Sequence, residues 1–109
     1  MCAITENVKV INDVKVKTFG FNPKHGNADL DVEAGTTGPR GYVPREKSSR
    51  AYVGLDCNRG DFCFIPLGDE DGNITGIGIA CCGDNAVHSL MEALLFARMA
   101  LMLQCRAID

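Results

Sequence analysis

The sequence has no run of about 20 uninterrupted apolar residues of the kind a membrane span requires. Its longest apolar stretch, ALLFARMALMLQC, is broken by Arg98 and Gln104. It has no cationic, apolar leader, because MCAITENVKV turns polar too soon, so the chain is expected to be cytoplasmic, with reduced thiols and no membrane partner. Net charge is small, −3 with 23% charged and 46% apolar residues, which gives no general reason to expect nucleic acid. Neither G-x-x-x-x-G-K-[ST] nor G-x-G-x-x-G followed by an acidic residue is present, which removes two large nucleotide-binding classes. Short C-x-x-C pairs are missing as well. The cysteines at 2, 57, 63, 81, 82 and 105 have only His25 and His88 to help them, so neither a metal nor a cofactor is expected, and most of these thiols read as small buried apolar side chains.

What the chain does have is enough length, 109 residues, for one domain with a single core. Residues 1–109 are read as one α+β domain. Residues 1–50 hold eight Lys/Arg against six Asp/Glu and residues 51–109 hold three against eight, so an anion site should draw on the first half.

In NVKVINDVKVKTF (7–19) valines alternate with lysines, the period of a half-buried strand. A two-residue turn at Asn12-Asp13 would set Val10 opposite Lys15 and Lys9 opposite Val16, mixing the faces, so one long or bent edge strand is expected. A short strand follows at 28–34, and then a long loop over 35–49, GTTGPRGYVPREKSS. Loops of this length inside a compact domain tend to be functional or disordered. RAYVGLDC (50–57), FCFIPLG (62–68) and ITGIGIACC (74–82) read as an antiparallel meander joined by turns at NRGD and DEDGN. Phe62 and Phe64 oppose Cys63, Ile65 and Leu67, so both faces of that middle strand are expected to be buried. NRGD is read as an ordinary hairpin turn, and DEDGN fails as a calcium loop because its glycine comes too early.

A helix is predicted from about 85 to 106, capped by Asp84 or Asn85. At about 100° per residue it has polar ends and an apolar belt around its middle. One sheet covers one stripe. The rest calls for another copy of the chain, so a homodimer or higher oligomer is expected, with the helix in the interface.

Three places could carry chemistry. Arg98 lies in the column Met91, Leu95, Arg98, Met102, Cys105, where a buried charge needs a partner: an Asp or Glu of its own or a neighbouring chain, or a ligand anion. GPRGYVPREKSSRAY brings Arg40, Arg45, Lys47 and Arg50 together with Tyr42 and Tyr52. Guanidinium forks suit phosphate or carboxylate and a tyrosine ring suits a base or sugar; the plainer reading is a solvated loop. At CCGDNAVHS a helix N-terminus follows a glycine turn, but Asp84 would repel an anion there and more simply caps the helix. Cys82 with His88 has no third, orienting group, which leaves a thiol enzyme with little support.

The expected architecture is therefore an antiparallel sheet of four to six strands wrapping one long C-terminal helix, assembled as a symmetric oligomer. The expected function is a non-enzymatic binding protein that holds, and in one form sequesters, an anionic small molecule such as a nucleotide or phosphorylated metabolite. Its site residues would be Arg40, Tyr42, Arg45, Lys47, Arg50, Tyr52 and Arg98. The rival reading is an interaction module or inhibitor that docks on an acidic partner protein.

Overall fold

The computed structural model describes residues 4–24, 26, 28–40, 48–57 and 61–106. Strands β1 (Thr5–Ile11), β2 (Val14–Phe21), β3 (Leu30–Thr36) and β4 (Ala51–Cys57) form an antiparallel sheet in that order. β5 (Phe62–Gly68) and β6 (Ile74–Cys81) form a separate two-stranded sheet. The last described element is the helix α1 (Asp84–Arg106), which lies mainly over β3. This is an α+β arrangement.

The expected single strand over 7–19 is in fact a hairpin. Asn12 and Asp13 have φ of 47° and 68°, the pair of left-handed residues that a type I′ turn needs and that, after glycine, Asn and Asp tolerate best. Ile11 faces Val14, Val10 faces Lys15 and Lys9 faces Val16. Turn chemistry therefore outweighs matching of the faces. Val14 and Val16 are buried on one side of the sheet, while Val8 and Val10 point to the other and stay exposed.

The meander is corrected too, since β4 and β5 do not pair. Only the base of the β5–β6 hairpin reaches the core, through Phe62, Phe64, Ile79 and Cys81. Ile65, Leu67, Ile74 and Ile77 are all exposed, so one face of β5 is covered near its start and neither is covered near its end. The far turn is closed by Asp69, whose carboxylate accepts from the backbone N–H groups of Asp71 (2.9 Å) and Asn73 (3.0 Å). Those bonds, the Asn73 one foremost, hold this carboxyl below its ordinary value.

The core lies between β3 and α1. Leu30, Val32 and Ala34 meet a stripe of small side chains, Ala86, Ser89, Ala93, Ala97 and Ala100, whose spacing of 3, 4, 4 and 3 keeps them on one side of a helix. Small residues let the helix lie close on the strand, and polar bonds fasten it at both ends. Ser89 Oγ donates to Pro23 O at 2.8 Å. At the other end Gln104 Oε1 accepts from Thr36 N and Gln104 Nε2 donates to Lys17 O, each at 3.0 Å. Extending the β2–β3 register by one step sets Lys17 opposite Thr36, so the Gln104 amide replaces a ladder bond where the strands part. One step back, a Cβ on Gly35 would lie 2.1 Å from Lys17 O and 2.7 Å from Thr18 Cα, which only glycine avoids. Phe21 stacks on Phe96 with ring centroids 4.9 Å apart.

The helix is entered through Gly83, at φ 100°, whose carbonyl accepts from Val87 N at 3.0 Å. Gly83 thus takes the capping position expected of Asp84 or Asn85, and Asp84 sits in the first turn as a negative charge at the positive end of the helix. The molecule measures 45 × 44 × 18 Å with a radius of gyration of 15.7 Å, against about 13 Å for a compact chain of this length. It is a thin slab.

Candidate functional site

The basic segment is the tip of the β3–β4 hairpin, and its two stems are zipped together. Thr37 N donates to Arg50 O at 3.0 Å, Thr36 Oγ1 donates to the same carbonyl at 2.6 Å, and Arg50 N donates to Thr37 Oγ1 at 3.0 Å. Further out, Arg40 N donates to Ser49 Oγ at 3.1 Å. Tyr42, Arg45 and Lys47 lie outside the described residues.

Arg50 is buried. Its Nε donates to Ile11 O at 3.1 Å, and one terminal nitrogen donates to Ser48 O and Ser48 Oγ at 2.8 and 2.9 Å. Carbonyl and hydroxyl oxygens occupy this guanidinium, which ties the β1–β2 turn to the hairpin neck. A run of four cations gives no sign of which one turns inward; Arg50 differs from the others in opening a segment that reads as a strand, RAYVGLDC.

Tyr52 pairs across the sheet with Gly35, and its ring lies over Gly54. Lys9 Nζ stands 5.4 Å from the ring centroid and 3.5 Å from Glu33 Oε1, while Glu33 Oε2 accepts from Thr18 Oγ1. Lys9, from the strand in which valines alternate with lysines, thus joins a polar cluster on the sheet face that also holds the buried Val16 and Thr18.

Arg98 is elsewhere. The column Met91, Leu95, Arg98, Met102 faces away from the sheet, with Met91 61% and Leu95 53% exposed, and Arg98 itself is exposed. The expected burial of this charge does not occur within one chain. Of the seven residues expected to form one site, the four that are described stand apart: Arg40 and Arg50 at the hairpin neck, Tyr52 on the sheet face it shares with Lys9, and Arg98 on the outer side of α1.

The outer side of α1 is broadly apolar. Val87, Met91, Leu94, Leu95, Met99, Met102 and Leu103 are all more than a third exposed. Beside them runs an apolar groove of about 540 Å³ between α1 and the β1–β2 hairpin, lined by Ile4, Phe19, Phe96, Met99, Ala100 and Leu103. Gln104 also reaches it, with both ends of its amide already engaged. By length and composition α1 could also cross a membrane, but its inner stripe is fastened to β3 by packing and by the Ser89 and Gln104 bonds.

A second recess, of about 400 Å³, lies at the start of α1 among Asp61, Cys82, Gly83 and Asp84. Asp61 and Asp84 are the acidic residues that line it together with the exposed Cys82. Among the described cysteines Cys63 and Cys82 are exposed and Cys57, Cys81 and Cys105 are half-buried, so none is the fully buried side chain expected. The reason is that their strand ends and helix flank border the slab's uncovered edges. Among the described residues no group of three or more His, Cys, Asp or Glu side chains could hold a metal ion.

Comparison with known proteins finds no matching family model, curated protein or solved structure.

Proposed function

We propose that the chain is a non-enzymatic binding protein that works as an assembly of copies and holds an anionic small ligand, a nucleotide or phosphorylated metabolite, on the basic tip of its β3–β4 hairpin. The observation that carries this reading is the outer side of α1, where leucines and methionines face outward while alanines face the sheet. An apolar face of this extent on a soluble chain marks an interaction surface. A folded monomer of 11.7 kDa exposes about 5,900 Å², and this chain exposes 7560 Å². The difference, about 1,700 Å², exceeds the roughly 800 Å² per partner that a stable interface buries.

The anion reading rests on Arg40 at the neck and on Arg45 and Lys47 in the segment it encloses. Arg50 serves as the anchor of that segment, and Arg98 belongs to the helix surface.

Native mass spectrometry of the intact protein tests the proposal, with more than one subunit and a retained small molecule as the expected result. Thermal-shift titration with nucleotides complements it: Arg40→Ala combined with Arg45→Ala and Lys47→Ala should abolish the shift. A ligand-free lone subunit that no nucleotide stabilises would remove this reading.

A further inference from the structure

The outer side of α1 contains a stripe with its own symmetry: Glu92, Leu95, Met99, Leu103 and Arg106, spaced 3, 4, 4 and 3. At about 100° per residue the five fall within an arc of about 80°, on the flank that borders the apolar groove. Leu95, Met99 and Leu103 are 53%, 51% and 60% exposed, and Glu92 and Arg106 are exposed as well. The spacing reads the same in both directions, and the two ends carry opposite charges.

Resting on the assembly proposed above, we infer that this stripe is a self-complementary docking surface whose occupant is the same stripe of a second copy, laid antiparallel. Met99 then sits on the two-fold axis. Leu95 meets Leu103 of the partner copy, and Glu92 meets Arg106 of the partner copy at each end. An isologous interface requires that a patch complement itself after a two-fold rotation, and opposite charges at equal distances from Met99 meet that requirement only in the antiparallel sense. Glu92 and Arg106 stand about 21 Å apart along the helix, so the paired charges bracket an apolar centre in the manner of a polar rim around an interface core. Among the described residues lining the groove the one polar side chain is Gln104, whose amide already accepts from Thr36 N and donates to Lys17 O. The groove's open apolar walls suit the leucine and methionine side chains of the facing helix.

Charge reversal tests this on the full chain, with sedimentation velocity reading association and circular dichroism checking that the helix is intact. Glu92→Arg alone and Arg106→Glu alone should each weaken association about tenfold or more, because each reversal sets two like-charge pairs across the axis. The double reversal should return the dissociation constant to within about threefold of the parent. Arg98→Glu, off the stripe, should leave it unchanged.

If single reversals have no effect, if the double fails to restore association, or if Arg98→Glu matters as much as they do, the antiparallel pairing is wrong while assembly stands. A compact single subunit at every concentration removes assembly and pairing together. Flotation of the unaltered chain with phosphatidylcholine vesicles, without self-association in their absence, would assign the face to lipid and overturn the inference.

Discussion

The two sides of α1 are built from different residues for different tasks. Toward β3 stand Ala86, Ser89, Ala93, Ala97 and Ala100; away from it stand Met91, Leu95, Met99, Met102 and Leu103. A helix that served only to stabilise a lone chain would turn its leucines inward, where each fully buried side chain contributes about 1.5–3 kcal/mol. Here the volume of the core comes from the strand side, from Leu30 and Val32, and the alanines let the helix settle close upon it. The small inner face fixes where the helix lies, and most of its hydrophobic driving force remains on the outside.

That contrast breaks first at Leu30, a fully buried side chain under α1. Leu30→Ala should cost about 2–5 kcal/mol of stability, through lost burial and the cavity left behind. Urea unfolding monitored by circular dichroism measures it, and a loss below half a kilocalorie would mean that the strand side does not supply the core. On the helix side the expected fault is the reverse one. Ala93 is 0% exposed, and Ala93→Leu should destabilise by about 1–3 kcal/mol through overpacking, because the helix cannot rise from β3 without breaking its Ser89 and Gln104 bonds. Unfolding at an unchanged midpoint would show that the inner face has room.

Much of this division was legible in the sequence. Turn residues bounded the runs that became β5 and β6, and the 3.6-residue period with its glycine entry placed the helix within a residue or two of Asp84–Arg106. The apolar belt was equally plain, because a pattern with no polar side is visible without knowing which side meets the sheet.

What sequence could not decide were the competitions between local and distant terms. At Asn12-Asp13 face matching argued for one strand, but the left-handed preference of the two residues produced a hairpin and left Val8 and Val10 exposed. Arg50 reads like its basic neighbours until Ile11 O and Ser48 O are found around its guanidinium. Arg98 shares a column with methionines and leucines, and nothing local reveals that Met91, Leu95, Arg98 and Met102 all face outward. The separation of β5–β6 from the main sheet likewise depends on where the chain goes after Cys57 and not on the strands themselves.

A polar joint sharpens the comparison at a smaller scale. Gln104→Leu keeps a similar bulk but leaves Lys17 O and Thr36 N without the amide that bridges them, and should cost about 1–3 kcal/mol. Native-state hydrogen exchange should show the Thr36 amide losing protection; unchanged protection there would mean that the strands close the ladder without it. On the outer face the stability effect should be smaller still. Leu95→Ser, at a position 53% exposed, should move the stability of the single subunit by only about 0.5 kcal/mol while lowering the assembled fraction in sedimentation. A large stability loss in a variant that is already monomeric would mean that this face supports the fold of one chain.

The smallest effect concerns the turn that sent the valines of β1 and β2 to opposite faces. Asp13 holds φ 68°, a conformation that costs an ordinary residue roughly 1–2 kcal/mol, Asp somewhat less, and glycine nothing. Asn-Gly is also the preferred pair for a type I′ turn. Asp13→Gly should therefore raise stability, by less than about 1 kcal/mol because the freer unfolded chain offsets part of the relief. The gain should appear as a higher urea midpoint with an unchanged slope. A loss instead would mean that the Asp13 side chain, and not the backbone it permits, maintains the hairpin, and the exposed Val8 and Val10 would then need an explanation other than turn geometry.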